Sequence, residues 1–326
     1  MESTVDGAVS TSWQPPPQPP LWRRAMPFVI AAALLAFVVA RLDLAAFRAA
    51  LAGLDVPSFL AFTLVWVVVL LGADSLGSVA AYRVTTPAVR FGQFYVLRGA
   101  SYLPSILNHH LGQAFLTYMT ARAFGVPVAR VAGATLLSYA GWMGCLLGLA
   151  TVALPVAGMP WAWLLVPIGA GVIYLIVLAV RPARVARITF LAPLFEAGIR
   201  GHLVALVARI PHLLVMVIGS WLPFYFFDVD IPVGPGLLLM PVVLVAVTLP
   251  LTPQGFGTRD ALAIAFFAQY APGATEAERA ARIAACTTSW GVASALAAAV
   301  VGLACTRFSA QLVDRRQATG PAAPAA

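Results

Sequence analysis

The chain has 326 residues, of which 61% are hydrophobic and only 10% charged, with a mean hydropathy of +0.90 and a net charge of +8. Several apolar runs reach the ~20 residues that cross ~30 Å of hydrocarbon, so a soluble globular protein is excluded and a polytopic membrane protein is expected. All twenty basic residues are arginine and most sit at span ends, where they set orientation and meet anionic headgroups, so nucleic acid is discounted as a partner.

Backbone polar groups in lipid must bond within the chain, and long Leu/Ala/Val runs without alternation favour helices over a closed barrel. The fold class is therefore all-α, a transmembrane helix bundle. Residues 1–22, with "WQPPPQPP", read as a disordered cytoplasmic tail. The apolar run after Arg23 and Arg24 is long enough to remain as a span, and it lacks a small-x-small cleavage site, which argues against a signal peptide. A single membrane domain covers 23–309, with spans at about 25–41, 56–82, 131–156, 160–181, 203–227 and 283–306. Residues 310–326 read as a second disordered cytoplasmic tail.

Two segments break this pattern. Residues 93–124 carry "SYLPSILNHHLGQA" and residues 237–271 carry "LPLTPQGFGTRDALA", each a pair of short apolar arms around a polar, helix-breaking middle. Such arms are short for a span and suit a re-entrant hairpin. Charge agrees: with Arg23 and Arg24 in the cytoplasm, a re-entrant 93–124 returns Arg122 and Arg130 to the side that holds Arg83, Arg90 and the Arg181 to Arg200 loop. The acidic turn at Asp228 and Asp230 then faces out. Six spans plus two hairpins form an inverted repeat, with halves of about 23–157 and 158–309, an arrangement used by alternating-access transporters. Eight full spans is the alternative.

Asp74 is the only acid in its span, with Gly77 and Ser78 on the same helical face. A structural ion pair, a proton site or a headgroup-amine site would each fit. Asn108, His109, His110 and Gln113 form the polar tip of the first hairpin, as a self-satisfied turn or as a headgroup contact. Adjacent histidines diverge by ~100° on a helix, so no metal is expected. Arg98 and Arg122 read as topology and snorkelling residues, whereas Arg209, inside its span beside Pro211, reads as facing a cavity. In "TPQGFGTRDALA", Thr258 can cap a helix with Asp260 in its first turn; alternatively Gly255, Gly257, Arg259 and Asp260 cradle a phosphate, or Arg259 pairs with Asp74. Trp22, Trp161, Trp163 and Trp221 read as interface anchors, and Cys145, Cys286 and Cys305 as packing residues. No hydrolase, zinc-protease or nucleotide-binding motif is present in the sequence, so neither catalysis nor a cofactor is expected.

With these residues in view, the chain resembles the transmembrane region of the lysylphosphatidylglycerol synthases and its stand-alone flippase-like relatives. The resemblance rests on "LPLTPQGFGTRDALA", similar to the family's proline, Gly-x-Gly and Arg-acid signature, and on "LNHHLGQAFLTYMTARAFGVP", similar to its Asn-to-Gly segment and following helix. It implies a lipid translocase of the cytoplasmic membrane, without aminoacyl transfer, handling an anionic or aminoacylated phospholipid headgroup. Asn108, Gln113, Arg259 and Asp260 would line its cavity, and a gradient, protons or the membrane potential would drive it. A homo-oligomer or an envelope enzyme is the expected protein partner. A secondary transporter of a soluble solute and a non-transporting scaffold are the alternatives.

Overall fold

A computed structural model describes residues 44–156, 158, 160–248 and 258–319. The tail 1–22, the expected span 25–41 and residues 320–326 lie outside the described residues, as do Gly255 and Gly257. The helices are α1 (Leu44–Ala52), α2 (Val56–Thr85), α3 (Phe91–Ala100), α4 (Tyr102–Leu107), α5 (His109–Phe124) and α6 (Val128–Val156). They continue with α7 (Leu165–Val180), α8 (Ala183–Ala186), α9 (Ala192–Trp221), α10 (Val233–Thr248), α11 (Thr258–Phe267) and α12 (Glu276–Thr319). No strand occurs among the described residues.

Five helices among the described residues are long and apolar enough to cross a membrane: Val56–Thr85, Val128–Ala153, Trp161–Val180, Ala192–Phe227 and Glu276–Ser309. They correspond to the five expected spans after the first. The last helix continues to Thr319, so the part of the expected tail from 310 to 319 is helical, not disordered. On α7 the apolar side chains of Val166, Ile173 and Ile176 are exposed, which suits a helix whose outer face meets lipid rather than water.

Close contacts fix how the spans run. The indole of Trp66 donates to the Val215 carbonyl at 3.0 Å, Gly77 faces Ala208, and Gly201 meets Val84, so α2 and α9 are antiparallel. The hydroxyls of Tyr82 and Thr135 are 2.6 Å apart and Arg130 Nε donates to the Thr85 carbonyl at 2.8 Å, which makes α6 antiparallel to α2. Trp290 packs on Phe59, Phe62 and Trp66, and Cys305 reaches Gly99 beside Leu71, so α12 runs parallel to α2. This packing gathers Arg83, Arg90, Arg130 and the connection holding Arg181, Arg184 and Arg187 at one end of the bundle. The other end holds Asp55, Asp228, Asp230, Glu276 and Glu278, with Arg282 bound to Asp228 at 3.1 Å. The bundle therefore has a basic end and a more acidic one.

The two irregular segments start from opposite ends. From Arg90, α3 runs antiparallel to α2, with Phe94 on Tyr82 at 5.0 Å, Arg98 on Asp74, and Gly99 against Leu71. The chain breaks at Asn108 and α5 returns to Phe124, which shares a buried cluster with Val89 and Val131, so both feet stand at the basic end. In the second segment Gly236 packs on Trp221 and Phe267 on Phe224 at 5.5 Å, which places the outer ends of α10 and α11 at the acidic end. The link at 249–257 lies outside the described residues. Trp221, expected to anchor at an interface, is instead buried, because α10 folds over it; Trp161 and Trp163 are exposed at the start of a span. All three cysteines are buried and unpaired, in keeping with packing roles.

Candidate functional site

Asp74 lies about 5 Å from the midpoint of α2 at 1.5 Å per residue. Arg209 sits at the middle of Ala192–Phe227, and Ser138 lies within about 4 Å of the middle of Val128–Ala153. Three spans thus carry polar residues to one depth, and all three residues are buried. Gly77 makes the meeting possible, since a Cβ there would stand 2.7 Å from the Ala208 carbonyl oxygen. A larger residue would hold α2 and α9 apart and Asp74 away from Arg209.

The hydrogen bonds of this cluster converge on one carboxylate. Asp74 Oδ2 accepts from Arg98 Nε at 2.5 Å, and Asp74 Oδ1 accepts from Arg209 Nη1 and, at 3.4 Å, from the Ser78 hydroxyl. Arg209 Nη2 donates to Ser78 Oγ at 2.9 Å and to Ser138 Oγ. His212, three residues beyond Arg209, brings Nδ1 to 4.0 Å from Asp74 Oδ1 and packs its ring on Trp142 at 5.0 Å. Two guanidiniums face one carboxylate, leaving an excess of one positive charge. At mid-depth of an apolar bundle that excess is expensive, which makes the cluster the candidate functional site.

The first hairpin tip lies beside this cluster. Asn108 Oδ1 accepts from the His110 backbone amide at 2.7 Å and caps α5, while Gly112 nestles against Ser105 and Ser101 of the facing arm. His109 Nε2 is 2.9 Å from the hydroxyl of Tyr139, the residue after Ser138, and both rings are exposed. Gln113 is half-buried and makes no side-chain hydrogen bond among the described residues, so the cluster does not include it. Replacing Asn108 with alanine should cost about 1 kcal/mol of stability and serine much less, measured by thermal unfolding in detergent. Equal melting of the alanine variant and the parent would show that the cap is not needed for the break.

A second polar station lies on α11. The helix begins at Thr258, with Asp260 in its first turn, and Arg259 Nη2 contacts Asp260 Oδ1 at 3.3 Å and donates to the Thr287 carbonyl at 2.8 Å. Arg259 therefore does not pair with Asp74, whose partners are Arg98 and Arg209. Trp290, one turn beyond Thr287, packs on Trp66, and Trp66 is about 12 Å from Asp74 along α2. The two stations stand at different depths, and the tip residues Gly255 and Gly257 lie outside the described residues.

The largest departure from the sequence reading is Arg98. It was expected to snorkel, yet its side chain is 14% exposed and bonded to Asp74. The chain reverses at Asn108, and the arm before that break runs along α2, which brings Arg98 to the depth of Asp74. Arg122 fits its expected surface role, exposed and stacked on Tyr118 at 5.9 Å. Ser138 had no distinguishing signal, since a single Ser in a span looks like packing. No group of three or more His, Cys, Asp or Glu residues able to hold a metal occurs among the described residues. Comparison of the chain with protein-family models, with curated proteins and with solved structures gives no match.

Proposed function

We propose that this chain is a lipid translocase of the cytoplasmic membrane, with its basic end cytoplasmic and its two irregular segments acting as re-entrant hairpins within an inverted repeat. The observation that carries the reading is a net-positive cluster at mid-depth, beside the tip of a hairpin whose feet both stand at the basic end. A polar headgroup crossing hydrocarbon needs a compensating site near the midplane, and broken helices from opposite sides are a known way to build one. Exposure of His109 and Tyr139 beside the cluster offers a polar approach, while acyl chains would remain among the exposed apolar side chains of the outer surface. The basic end follows the positive-inside preference. The resemblance of "LPLTPQGFGTRDALA" to the flippase-like signature points the same way.

Leaflet exchange in liposomes tests the proposal. Reconstituted protein should expose inner-leaflet fluorescent phosphatidylglycerol to an impermeant reductant faster than protein-free vesicles do. Exchange should fall at least tenfold in Arg209→Gln, as expected when a charge-assisted contact worth more than about 1.4 kcal/mol is lost. It should also slow in the Arg259→Ala, Asp260→Ala double variant. Exchange no faster than in empty vesicles, across anionic, zwitterionic and isoprenoid lipids, would refute translocation.

A further inference from the structure

The mid-depth cluster has one carboxylate for two guanidiniums, and not all of its donors are used. Arg209 is 7% exposed, yet its Nε–H has no hydrogen-bond acceptor. Arg98 donates from Nε to Asp74 and only weakly from Nη1 to Ser101 Oγ at 3.5 Å. Buried polar groups in native proteins are ordinarily satisfied, so a cluster with spare donors and excess positive charge is set up for an anionic acceptor. A tetrahedral oxyanion is the matching chemistry: guanidiniums bind phosphate through forked N–H donors, and several oxygens could take the spare donors together.

We infer that Arg98 and Arg209 form the binding site for the phosphate of an anionic phospholipid headgroup, with Asp74 holding the two guanidiniums in place. Asp74 neutralises part of the charge and spaces the two arginines, one before the break at Asn108 and one on α9. Because Arg98 belongs to the hairpin arm, an anion shared by both arginines also ties the hairpin to the bundle. The lipid source of the phosphate rests on the translocase reading; the anion site itself does not. Free inorganic phosphate presents the same chemistry and is the competing source.

Calorimetric titration of the full chain in detergent micelles, with protein-free micelles subtracted, separates these possibilities. The ligands are dihexanoyl phosphatidylglycerol, dihexanoyl phosphatidylcholine and inorganic phosphate. Saturable binding of the phosphatidylglycerol is expected, tighter than that of phosphatidylcholine or free phosphate. Arg98→Gln should weaken it on the order of tenfold, the loss of one charge-assisted contact, and Arg122→Gln at the surface should leave it unchanged. Asp74→Asn removes the internal anion and should tighten binding; a merely structural cluster would instead lose binding in both variants. Should Asp74→Asn fail to fold, the comparison of Arg98→Gln with Arg122→Gln still decides. Absence of saturable phosphatidylglycerol binding, or the same affinity in Arg98→Gln as in the parent, overturns the site. Free phosphate binding as tightly as the lipid overturns the lipid source. Charge-dependent binding without leaflet exchange would remove the translocase reading alone; exchange with binding indifferent to Arg98 would remove the anion site alone.

Discussion

Replacing Asp74 with alanine should destabilise the folded bundle by roughly 3–5 kcal/mol, the range for removing one partner from a buried ion pair. The side chains of Arg98 and Arg209 are 14% and 9% exposed, so neither guanidinium can recover full hydration once the carboxylate is gone. Ser78 and Ser138 would still accept from Arg209, but Arg98 would keep only its long hydrogen bond to Ser101 and its place over the Tyr102 ring. Asp74→Asn preserves an acceptor oxygen and should lose less. Unfolding in detergent, followed by helical circular dichroism, reads the difference. A melt of the alanine variant within a degree or two of the parent would mean that the cluster does not hold the bundle together.

The second large effect concerns a methyl group. Gly77→Ala should cost about 1–3 kcal/mol, because its Cβ would stand 2.7 Å from the Ala208 carbonyl oxygen and 3.2 Å from Arg209 Cδ. The arginine stem can shift, but the carbonyl is backbone, so α2 and α9 must separate. Gly72→Ala on the same helix meets nothing within 4 Å. It should be neutral or stabilising by up to about 1 kcal/mol, the usual gain of alanine over glycine in a helix. Opposite signs for two identical substitutions five residues apart would isolate helix contact from helix propensity. Equal effects would remove the close-approach account of how Asp74 reaches Arg209.

Much of the architecture is legible in local composition. Apolar runs of span length mark five of the described helices, since hydrocarbon thickness sets a length that short polar interruptions do not erase. The break is visible as a polar, helix-breaking middle between two short arms, and in the structure the Asn108 side chain caps the returning helix. The charge argument that paired Arg83, Arg90 and Arg130 with the Arg181 to Arg200 connection rests on counting spans, and the helix contacts gather those residues at one end. Asp74 with Gly77 and Ser78 could be recognised as a small, polar face because helical spacing alone puts them together.

Partnership was not legible. Asp74 is 24 residues from Arg98 and 135 from Arg209, and nothing local records which of the arginines will share its depth and face it. Arg98 looks like an end-of-span residue until the hairpin turns back, and Trp221 looks like an interface anchor until α10 covers it. Depth in a bundle depends on where a segment reverses, and pairing depends on how each helix is rotated about its axis, so both belong to the tertiary structure. By itself the sequence determined how many described helices are long and apolar enough to span, where they break and which connections carry charge, because these follow from the local cost of polar groups in hydrocarbon. Only the tertiary structure decided that one carboxylate and two guanidiniums meet at mid-depth, because that meeting requires α2, α3 and α9 to be in register and in contact.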